Sequence, residues 1–316
     1  MTFLRAFGCY VPSRVINNAE LAPMVGVDEG WLLQMTGIAE RRFAAPQQTV
    51  AELGLFAAKD CLGRAGLAAQ QIGFILVASG SSERRFPGPA SSIGAALGIP
   101  GTPAIDVPMA SAGSLAAIAM ASHLAAAYGN VLVVGAEIMS RVVQVSPNGR
   151  DTAVLFGDGA GACVVSAESG FAEIVDSVLH TDGDYAESLQ LNLDSPLYMD
   201  GRSIILHATR KMPRVIVEVL ERNGYKTEQV GAFLLHQANL NLILRVAQSL
   251  GVAESKFYCN VQRYGNTSSA SLLIAAAEWH REVGAVEAPI VLAAFGAGLN
   301  WGAVLAKPVN GHFAHE

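Results

Sequence analysis

Apolar windows with helical periodicity alternate with short runs of strand-forming residues along most of the chain. The helical periodicity predicts helices near 50–65, 112–127, 208–222, 239–250 and 270–283. Runs rich in valine, leucine, isoleucine and alanine predict strands at 74–79, 130–136, 162–167, 233–237 and 290–296. This alternation is typical of a layered α/β fold with substantial parallel pairing.

The two halves of the chain resemble each other. The segment RAGLAAQQIGFIL at 64–76 shares an arginine, two glycines, a glutamine and a leucine with RNGYKTEQVGAFL at 222–234, numbered 158 higher. That offset is half of the 316 residues, and it also aligns Ser111 with Ser269. We therefore predict an internal duplication, with an N-terminal half at 1–167 and a C-terminal half at 168–316.

One uncharged segment is long enough to suggest a membrane span. It runs from Val107 to Ala136 without a formally charged residue. Pro108, Gly113 and Gly129 divide it into a helix and a strand, each of a length suited to the interior of a layered protein. The segment is therefore predicted to be core, and no membrane partner is expected.

The amino-acid composition predicts a large hydrophobic core and argues against some classes of partner. Hydrophobic residues make up 51% of the chain and charged residues 15%, while the net charge is −6 without a long basic run. This balance argues against nucleic acid as the main partner. The N-terminus has no secretion signal, and the four cysteines have neither metal-ligand nor disulfide spacing. We expect a cytoplasmic protein without a metal site.

A candidate nucleophile lies where a strand turns into an apolar helix. In DVPMASAGSLAAIAMA, at 106–121, Ser111 occupies that turn, close to free N–H groups and the positive end of the helix dipole. Such a position can stabilise an anionic nucleophile and supply an oxyanion donor. The alternative is an ordinary N-cap, a role for which serine is well suited.

Two further polar residues follow predicted core strands. His236 lies in the strand run FLLHQ, and Asn266 lies in RYGNTSSAS ahead of a helix. Because ligands usually bind at strand ends of α/β sheets, these residues and Ser111 could surround one acyl carbonyl. Taken singly, such a histidine is more often a core residue and such an asparagine a turn former.

Two glycine-rich runs also have a possible ligand-binding role. FGDGAGA at 156–162 lacks the spacing of a dinucleotide-binding loop. FGAGLNWG at 295–302 could offer backbone N–H groups to an oxyanion, with tight turn packing as the alternative.

Seven stretches in order carry a resemblance over essentially the whole chain. They are DEGWLLQMTGIAERRFAAP, RRFPGPASSIGAALGI, AIDVPMASAG, GRDTAVLFGDGAGA, LLHQANL, RYGNTSSAS and FGAGLNWGA. Together they resemble the β-ketoacyl-acyl-carrier-protein synthase III family of thiolase-fold condensing enzymes. The resemblance implies a five-layered αβαβα fold built from two duplicated halves, and a homodimer with buried active sites.

The resemblance also assigns roles to residues. His236 and Asn266 match the pair that assists decarboxylation of a malonyl group and stabilises the enolate. Ser111 falls where the family carries its acyl-accepting cysteine, and Ala297 where a glycine N–H completes the oxyanion hole with the nucleophile's own N–H. Positions implied to contact coenzyme A, pantetheine or the acyl chain are Trp31, Arg150, Gly201, Asn239, Phe156 and, from a partner subunit, Phe86.

The departures from the family pattern concern the nucleophile and the docking surface. A serine hydroxyl needs a base within hydrogen-bond reach, whereas a thiol at a helix N-terminus can be held as thiolate. His236 is the candidate base if Ser111 is acylated. Met35 and Asn241 replace arginines that serve coenzyme A and carrier-protein docking in the family.

Several functions stay open at this stage. The first is acyl transfer from coenzyme A followed by decarboxylative condensation with a malonyl thioester, in fatty-acid or secondary-metabolite biosynthesis. The second is acyl transfer to a hydroxyl or amine through Ser111 and His236. The third is a non-acylating partner subunit, or an enzyme whose native cysteine was replaced by serine. Coenzyme A thioesters would be substrates, no cofactor is predicted, and an acyl carrier protein is a candidate partner.

Overall fold

The computed structural model describes residues 1–309 of the chain. The strands are β1 (Phe3–Tyr10), β2 (Arg14–Asn17), β3 (Glu40–Phe43), β4 (Ile72–Ala78), β5 (Ala104–Val107), β6 (Asn130–Ile138), β7 (Asp158–Ser166), β8 (Ala172–Thr181), β9 (Leu189–Gln190), β10 (Tyr198–Met199), β11 (Ala232–Leu235), β12 (Ile290–Gly296) and β13 (Asn300–Pro308). The helices are α1 (Asn18–Val25), α2 (Glu29–Thr36), α3 (Val50–Ala65), α4 (Pro89–Ala96), α5 (Gly113–Tyr128), α6 (Arg150–Ala153), α7 (Gly201–Glu221), α8 (Leu240–Leu250), α9 (Val261–Tyr264) and α10 (Ser271–Val283).

The main sheet repeats one topology twice. Its order is β11-β12-β13-β8-β1-β7-β6-β4-β5. In the N-terminal half, β1 pairs antiparallel with β7, β7 pairs antiparallel with β6, and β6 pairs parallel with β4. In the C-terminal half, β8 pairs antiparallel with β13, β13 pairs antiparallel with β12, and β12 pairs parallel with β11. The two sets meet only where Phe3 and Leu4 of β1 pair with β8. The predicted duplication is therefore present in the strand order.

Five layers of secondary structure follow from how the helices pack. Helices α5 and α10 contact strands of both halves and form the central layer, while α3 and α4 cover the outer face of the first half and α7, backed by α8, covers that of the second. The central core joins Leu115 and Ile118 of α5 to Leu272 and Ala276 of α10. This is the αβαβα arrangement that the sequence predicts.

The long uncharged segment forms the interior of this arrangement. It covers α5 and most of β6, and every residue of β6 is buried. Alanine, glycine and serine dominate the buried face of α5, which lets strands of both halves pack closely around it. Among the described residues, no helix combines the length and apolarity needed to span a membrane.

Helix α7 begins earlier than its predicted start at residue 208. It starts at Gly201, and the Asp200 side chain accepts a hydrogen bond from the Ser203 N–H. The first turns carry exposed apolar residues, with Ile205 at 44% and Leu206 at 45% exposure. These exposed apolar residues interrupt the helical periodicity of apolar and polar positions. The periodicity therefore predicts a start for α7 that is too late in the sequence.

We predict that Gly161→Ala on β7 destabilises the protein by about 2 kcal/mol, because a Cβ there would overlap the Leu273 side chain and the Ile274 backbone of α10. Gly63→Ala on α3 is the matched control: a Cβ there meets no atom within 4 Å, and the change should stabilise the helix by about 0.5–1 kcal/mol. Denaturant unfolding of both variants measures the difference. Equal effects from the two substitutions would contradict close packing of β7 on α10.

Candidate active site

Ser111 lies in a strained turn between β5 and α5. Its φ is 61°, a left-handed conformation that is uncommon for a residue with a side chain. The residue that caps α5 is Ala112, and no side chain makes a cap hydrogen bond there, so the N-cap interpretation of Ser111 is wrong. The Ser111 N–H donates to Ser268 Oγ at 3.0 Å. A ligand oxygen that uses this N–H as an oxyanion donor must share it with Ser268 or displace that hydroxyl.

The equivalent turn in the other half is strained in the same way. Ser268 has a φ of 47°, and among the described residues other than glycine only Ser111 and Ser268 have a positive φ. Strain of this kind costs on the order of 1–3 kcal/mol per residue and persists only where the surroundings enforce it. The duplicated turns therefore face each other at the start of the two central helices.

Glu137 is the buried acidic residue that fixes the second turn. Its carboxylate accepts hydrogen bonds from Ser269 Oγ at 2.7 Å, from the Gly80 N–H at 3.0 Å and from the Ser81 N–H at 2.9 Å. Its side chain is fully buried at the end of β6. These donors compensate the loss of hydration and connect the N-terminal half to the turn of the C-terminal half. The sequence analysis did not identify this residue.

His236 follows β11 and is 7% exposed. Its backbone N–H donates to the Ala293 carbonyl at 2.9 Å, and its ring Nδ1 lies 2.6 Å from Ser271 Oγ. Burial lowers the pKa of the His236 imidazole to about 4, and the nearby Ser268 backbone opposes this fall only in part. The imidazole is therefore neutral at pH 7.

Asn266 is held by hydrogen bonds of its backbone and of its side-chain oxygen. Its N–H donates to the Leu155 carbonyl at 2.8 Å, and its carbonyl accepts from the Gly157 N–H at 3.1 Å. The side-chain Oδ1 accepts from the Ser268 N–H at 2.8 Å. Because Oδ1 is engaged in this way, the NH₂ group is the end of the amide that faces a ligand as a donor.

One cavity of about 250 Å³ brings the three candidate catalytic residues together. Ser111, His236 and Asn266 all line it. Most of the other lining side chains are apolar, and among residues 1–309 Arg245 is the only lining residue with a formal charge. The predicted binding residues that also line the cavity are Phe156, Gly201 and Asn239.

The remaining predicted binding residues lie outside the lining of this cavity. Trp31 is on α2 at 39% exposure, and Phe86 is 84% exposed on the loop before α4. Arg150 begins α6, with its Nε 3.6 Å from Asp151 Oδ1. Ala297 follows Gly296, which does line the cavity. The roles that the resemblance gives these four residues stay predictions.

Gly296 is a site residue that the sequence analysis did not single out. A Cβ at this position would overlap the Ala110 carbonyl and come within 2.8 Å of Ser111 Cβ and 2.9 Å of the Ala112 N atom. Only glycine lets the end of β12 approach the Ser111 turn this closely. The glycine-rich run at the end of a strand was the available signal.

Asn241 has a definite structural role. Its Nδ2 donates to the carbonyls of Gln34 and Met35, each at 3.0 Å, and Asn239 Nδ2 donates to the Met35 carbonyl at 3.2 Å. These two amides attach the start of α8 to the end of α2 at the edge of the cavity. Residues 1–309 contain no group of three or more His, Cys, Asp or Glu side chains arranged to hold a metal ion.

The profile described as 3-Oxoacyl-[acyl-carrier-protein (ACP)] synthase III matches residues 105–183, and that for its C terminal region matches residues 220–307. The Beta-ketoacyl-[acyl-carrier-protein] synthase III of Oleidesulfovibrio alaskensis is 37% identical over 327 residues, covering 97% of this chain and 98% of the relative. The protein of that name from Salmonella arizonae is 38% identical over 312 residues, covering 95% and 97%.

Solved structures agree with the sequence relatives. The 3-oxoacyl-[acyl-carrier-protein] synthase III of Aquifex aeolicus superposes with a TM-score of 0.93 at 35% identity, over 97% of this chain and 100% of that one. The priming β-ketosynthase of the R1128 polyketide biosynthetic pathway superposes with a TM-score of 0.91 at 29% identity, over 98% and 96%.

Burial of neutral His236 predicts a loss of stability in acid. The folded pKa of about 4 lies below the unfolded value of 6.5, so the unfolded chain binds more protons in between. This contribution is complete above pH 6.5 and is lost as the pH falls towards 4. Between about pH 7.5 and about pH 5 this contribution to the free energy of unfolding falls by about 2 kcal/mol.

Denaturant unfolding at both pH values should show a smaller decrease in the free energy of unfolding for His236→Asn than for the wild type. The exposed-residue control His123→Asn should retain the wild-type decrease, and an equal decrease in all three proteins would contradict the burial argument.

Proposed function

The chain belongs to the 3-oxoacyl-[acyl-carrier-protein] synthase III family of condensing enzymes, and from this membership we propose that it joins an acyl group, carried by Ser111, to a malonyl thioester with release of CO₂. Coenzyme A thioesters are the proposed acyl donors. An acyl carrier protein, named in the titles of the relatives, is the proposed carrier of the malonyl group.

The observation that carries this proposal is the convergence of Ser111, His236 and Asn266 on one apolar cavity. A neutral imidazole and an amide NH₂ can donate two hydrogen bonds to one thioester oxygen. Loss of CO₂ from a malonyl group moves an electron pair towards that oxygen, so these donors stabilise the enolate that forms.

The lining of the cavity favours the same reaction. Leu155, Phe156 and Phe295 contribute apolar surface near the three polar groups. A malonyl carboxylate that enters such surroundings loses hydration, whereas the CO₂ that leaves is uncharged. Removing the charge from an apolar site is favourable, and this contributes to the driving force for decarboxylation.

A second candidate function is acyl transfer to a hydroxyl or amine without carbon–carbon bond formation. Two features favour it: the serine at position 111, and the use of Asn241 to bind the α2 backbone where the family often has an arginine for docking. This function needs no CO₂ release, which separates it from condensation.

The proposed assembly is a homodimer. Phe86 is 84% exposed and leads into α4, so its ring is available to a second copy of the chain. In the proposed dimer it forms part of the acyl pocket of the partner subunit.

Acylation is tested by intact-protein mass after mixing with a panel of acyl-coenzyme A thioesters. We expect an acyl adduct on the Ser111 peptide of the wild type and none on Ser111→Ala, because the hydroxyl is the acceptor. Ser114→Ala is the matched control, since Ser114 is buried on α5, directly after the Ser111 turn, and does not line the cavity. A panel without any adduct would favour a non-acylating partner subunit.

Decarboxylation is tested by CO₂ release from malonyl-coenzyme A and from a malonyl carrier protein. We expect His236→Ala and Asn266→Ala each to lower the rate by roughly a hundredfold, because each removes one donor to the enolate oxygen. Adducts on Ser111 together with no CO₂ from either thioester would support acyl transfer to a hydroxyl or amine instead.

A further inference from the structure

We infer that Ser271 is a positioning residue that holds His236 with its proton on Nε2, so that His236 donates a hydrogen bond into the cavity and does not act as the base for Ser111. This inference deepens the proposed function and rests on it for its catalytic meaning.

Three polar groups meet at the Ser271 hydroxyl. His236 Nδ1 lies 2.6 Å from Ser271 Oγ, and the Gln237 N–H donates to the same oxygen at 3.0 Å. Ser271 is 2% exposed at the start of α10. Since Nδ1 is occupied at this buried contact, Nε2 is the ring nitrogen that remains for the cavity.

The position of the proton follows from the number of donors and acceptors. The Gln237 N–H uses one lone pair of Ser271 Oγ, and in residues 1–309 the hydroxyl hydrogen has no acceptor in hydrogen-bond geometry apart from His236 Nδ1. The hydroxyl therefore donates to Nδ1. In a neutral imidazole the proton is then on Nε2.

The competing arrangement puts the proton on Nδ1 and directs it towards the Ser268 carbonyl, which also contacts the ring. The hydroxyl hydrogen of Ser271 would then be buried without an acceptor. An unsatisfied buried donor is disfavoured strongly enough to decide between two otherwise similar tautomers. The arrangement with Nε2–H satisfies the Gln237 N–H, the Ser271 hydroxyl and Nδ1 together.

This tautomer gives His236 one defined task. When the bond between the α-carbon of the malonyl group and its carboxylate breaks, the electron pair moves into the enolate, whose oxygen accepts hydrogen bonds from Nε2–H and the Asn266 NH₂. CO₂ leaves, and no proton is taken up or released by His236. The same Nε2–H has no lone pair to remove the proton of the Ser111 hydroxyl, so His236 is not that base. When Ser111 is acylated, the C–S bond of the thioester breaks and the hydroxyl proton goes to the departing coenzyme A thiolate.

The tautomer can be measured without substrate by ¹⁵N NMR of the histidine rings. We expect wild-type His236 to have a protonated Nε2 and an unprotonated Nδ1 at neutral pH, with its signals assigned by their loss in His236→Asn. Ser271→Ala should give a mixture of tautomers. Ser114→Ala is the matched control, because Ser114 is buried near the start of α5 and, among the described residues, its hydroxyl makes no hydrogen bond to His236 or to the Ser268 turn. A wild-type ring protonated on Nδ1, or a Ser271→Ala spectrum identical to the wild type, would overturn the inference.

Kinetics supply the second readout. CO₂ release should fall about tenfold in Ser271→Ala and remain near the wild-type rate in Ser114→Ala, because only the former frees the ring to change tautomer. If the wild type releases no CO₂ at all, the proposed function fails while the NMR result still decides the role of Ser271.

A third measurement concerns acylation. Ser111→Cys should be acylated at least about a hundredfold faster than the wild type, because a thiol at a helix N-terminus ionises without an adjacent base. Equal acylation rates for the two proteins would mean that the serine is activated by His236, and the inference would be wrong.

Discussion

The hydrogen bond from the Ser111 N–H to Ser268 Oγ joins the two halves of the molecule at the point where both central helices begin. Each residue has a positive φ, so neither turn is stable by itself. The surroundings that enforce them come from both halves: Glu137 of the first half binds the turn of the second, and Gly296 of the second packs against the turn of the first. The candidate nucleophile therefore has a fixed position only when the duplicated halves are assembled, and the chemistry depends on the interface between them.

That interface also sets the electrostatics of the site. His236 is neutral because burial lowers the pKa of its imidazole to about 4, and the cavity next to it is lined mostly by apolar side chains. A site of this kind is well suited to hydrogen-bond donors and poorly suited to a permanent positive charge. Among the polar groups that remain, Asn266 is oriented by a hydrogen bond from the Ser268 N–H. Rigid donors in an apolar cavity are well suited to stabilising a transient enolate.

Much of the architecture could be predicted because it is encoded locally or by repetition. Helix α3 has the predicted bounds of 50–65, and the half-length offset of the sequence repeat predicts the duplicated topology. Ser111 and His236 could be proposed because each follows a strand, whereas Asn266 follows the short helix α9, so the prediction that it ends a core strand was wrong. Glu137 and Ser271 could not be found in this way: their partners are 132 and 35 residues away, and nothing in a buried glutamate or a helix-start serine reveals which distant group it meets. Which ring nitrogen of His236 carries the proton depends on such a contact. The sequence therefore suggested that His236 is a base, whereas the geometry supports a hydrogen-bond donor.

The serine at position 111 affects the two steps of the proposed reaction, decarboxylation and acylation, differently. Decarboxylation needs donors at one oxygen, and His236 with Asn266 supplies them regardless of which atom stands at the nucleophile position. Acylation needs an ionised or deprotonated nucleophile, and the helix N-terminus and the strained turn were sufficient for a thiolate but leave a hydroxyl largely protonated. A change from sulfur to oxygen therefore acts on one step and leaves the architecture of the other intact. The two donors and the apolar cavity therefore bear on the proposed enolate formation, whereas the serine at position 111 bears only on the proposed acylation.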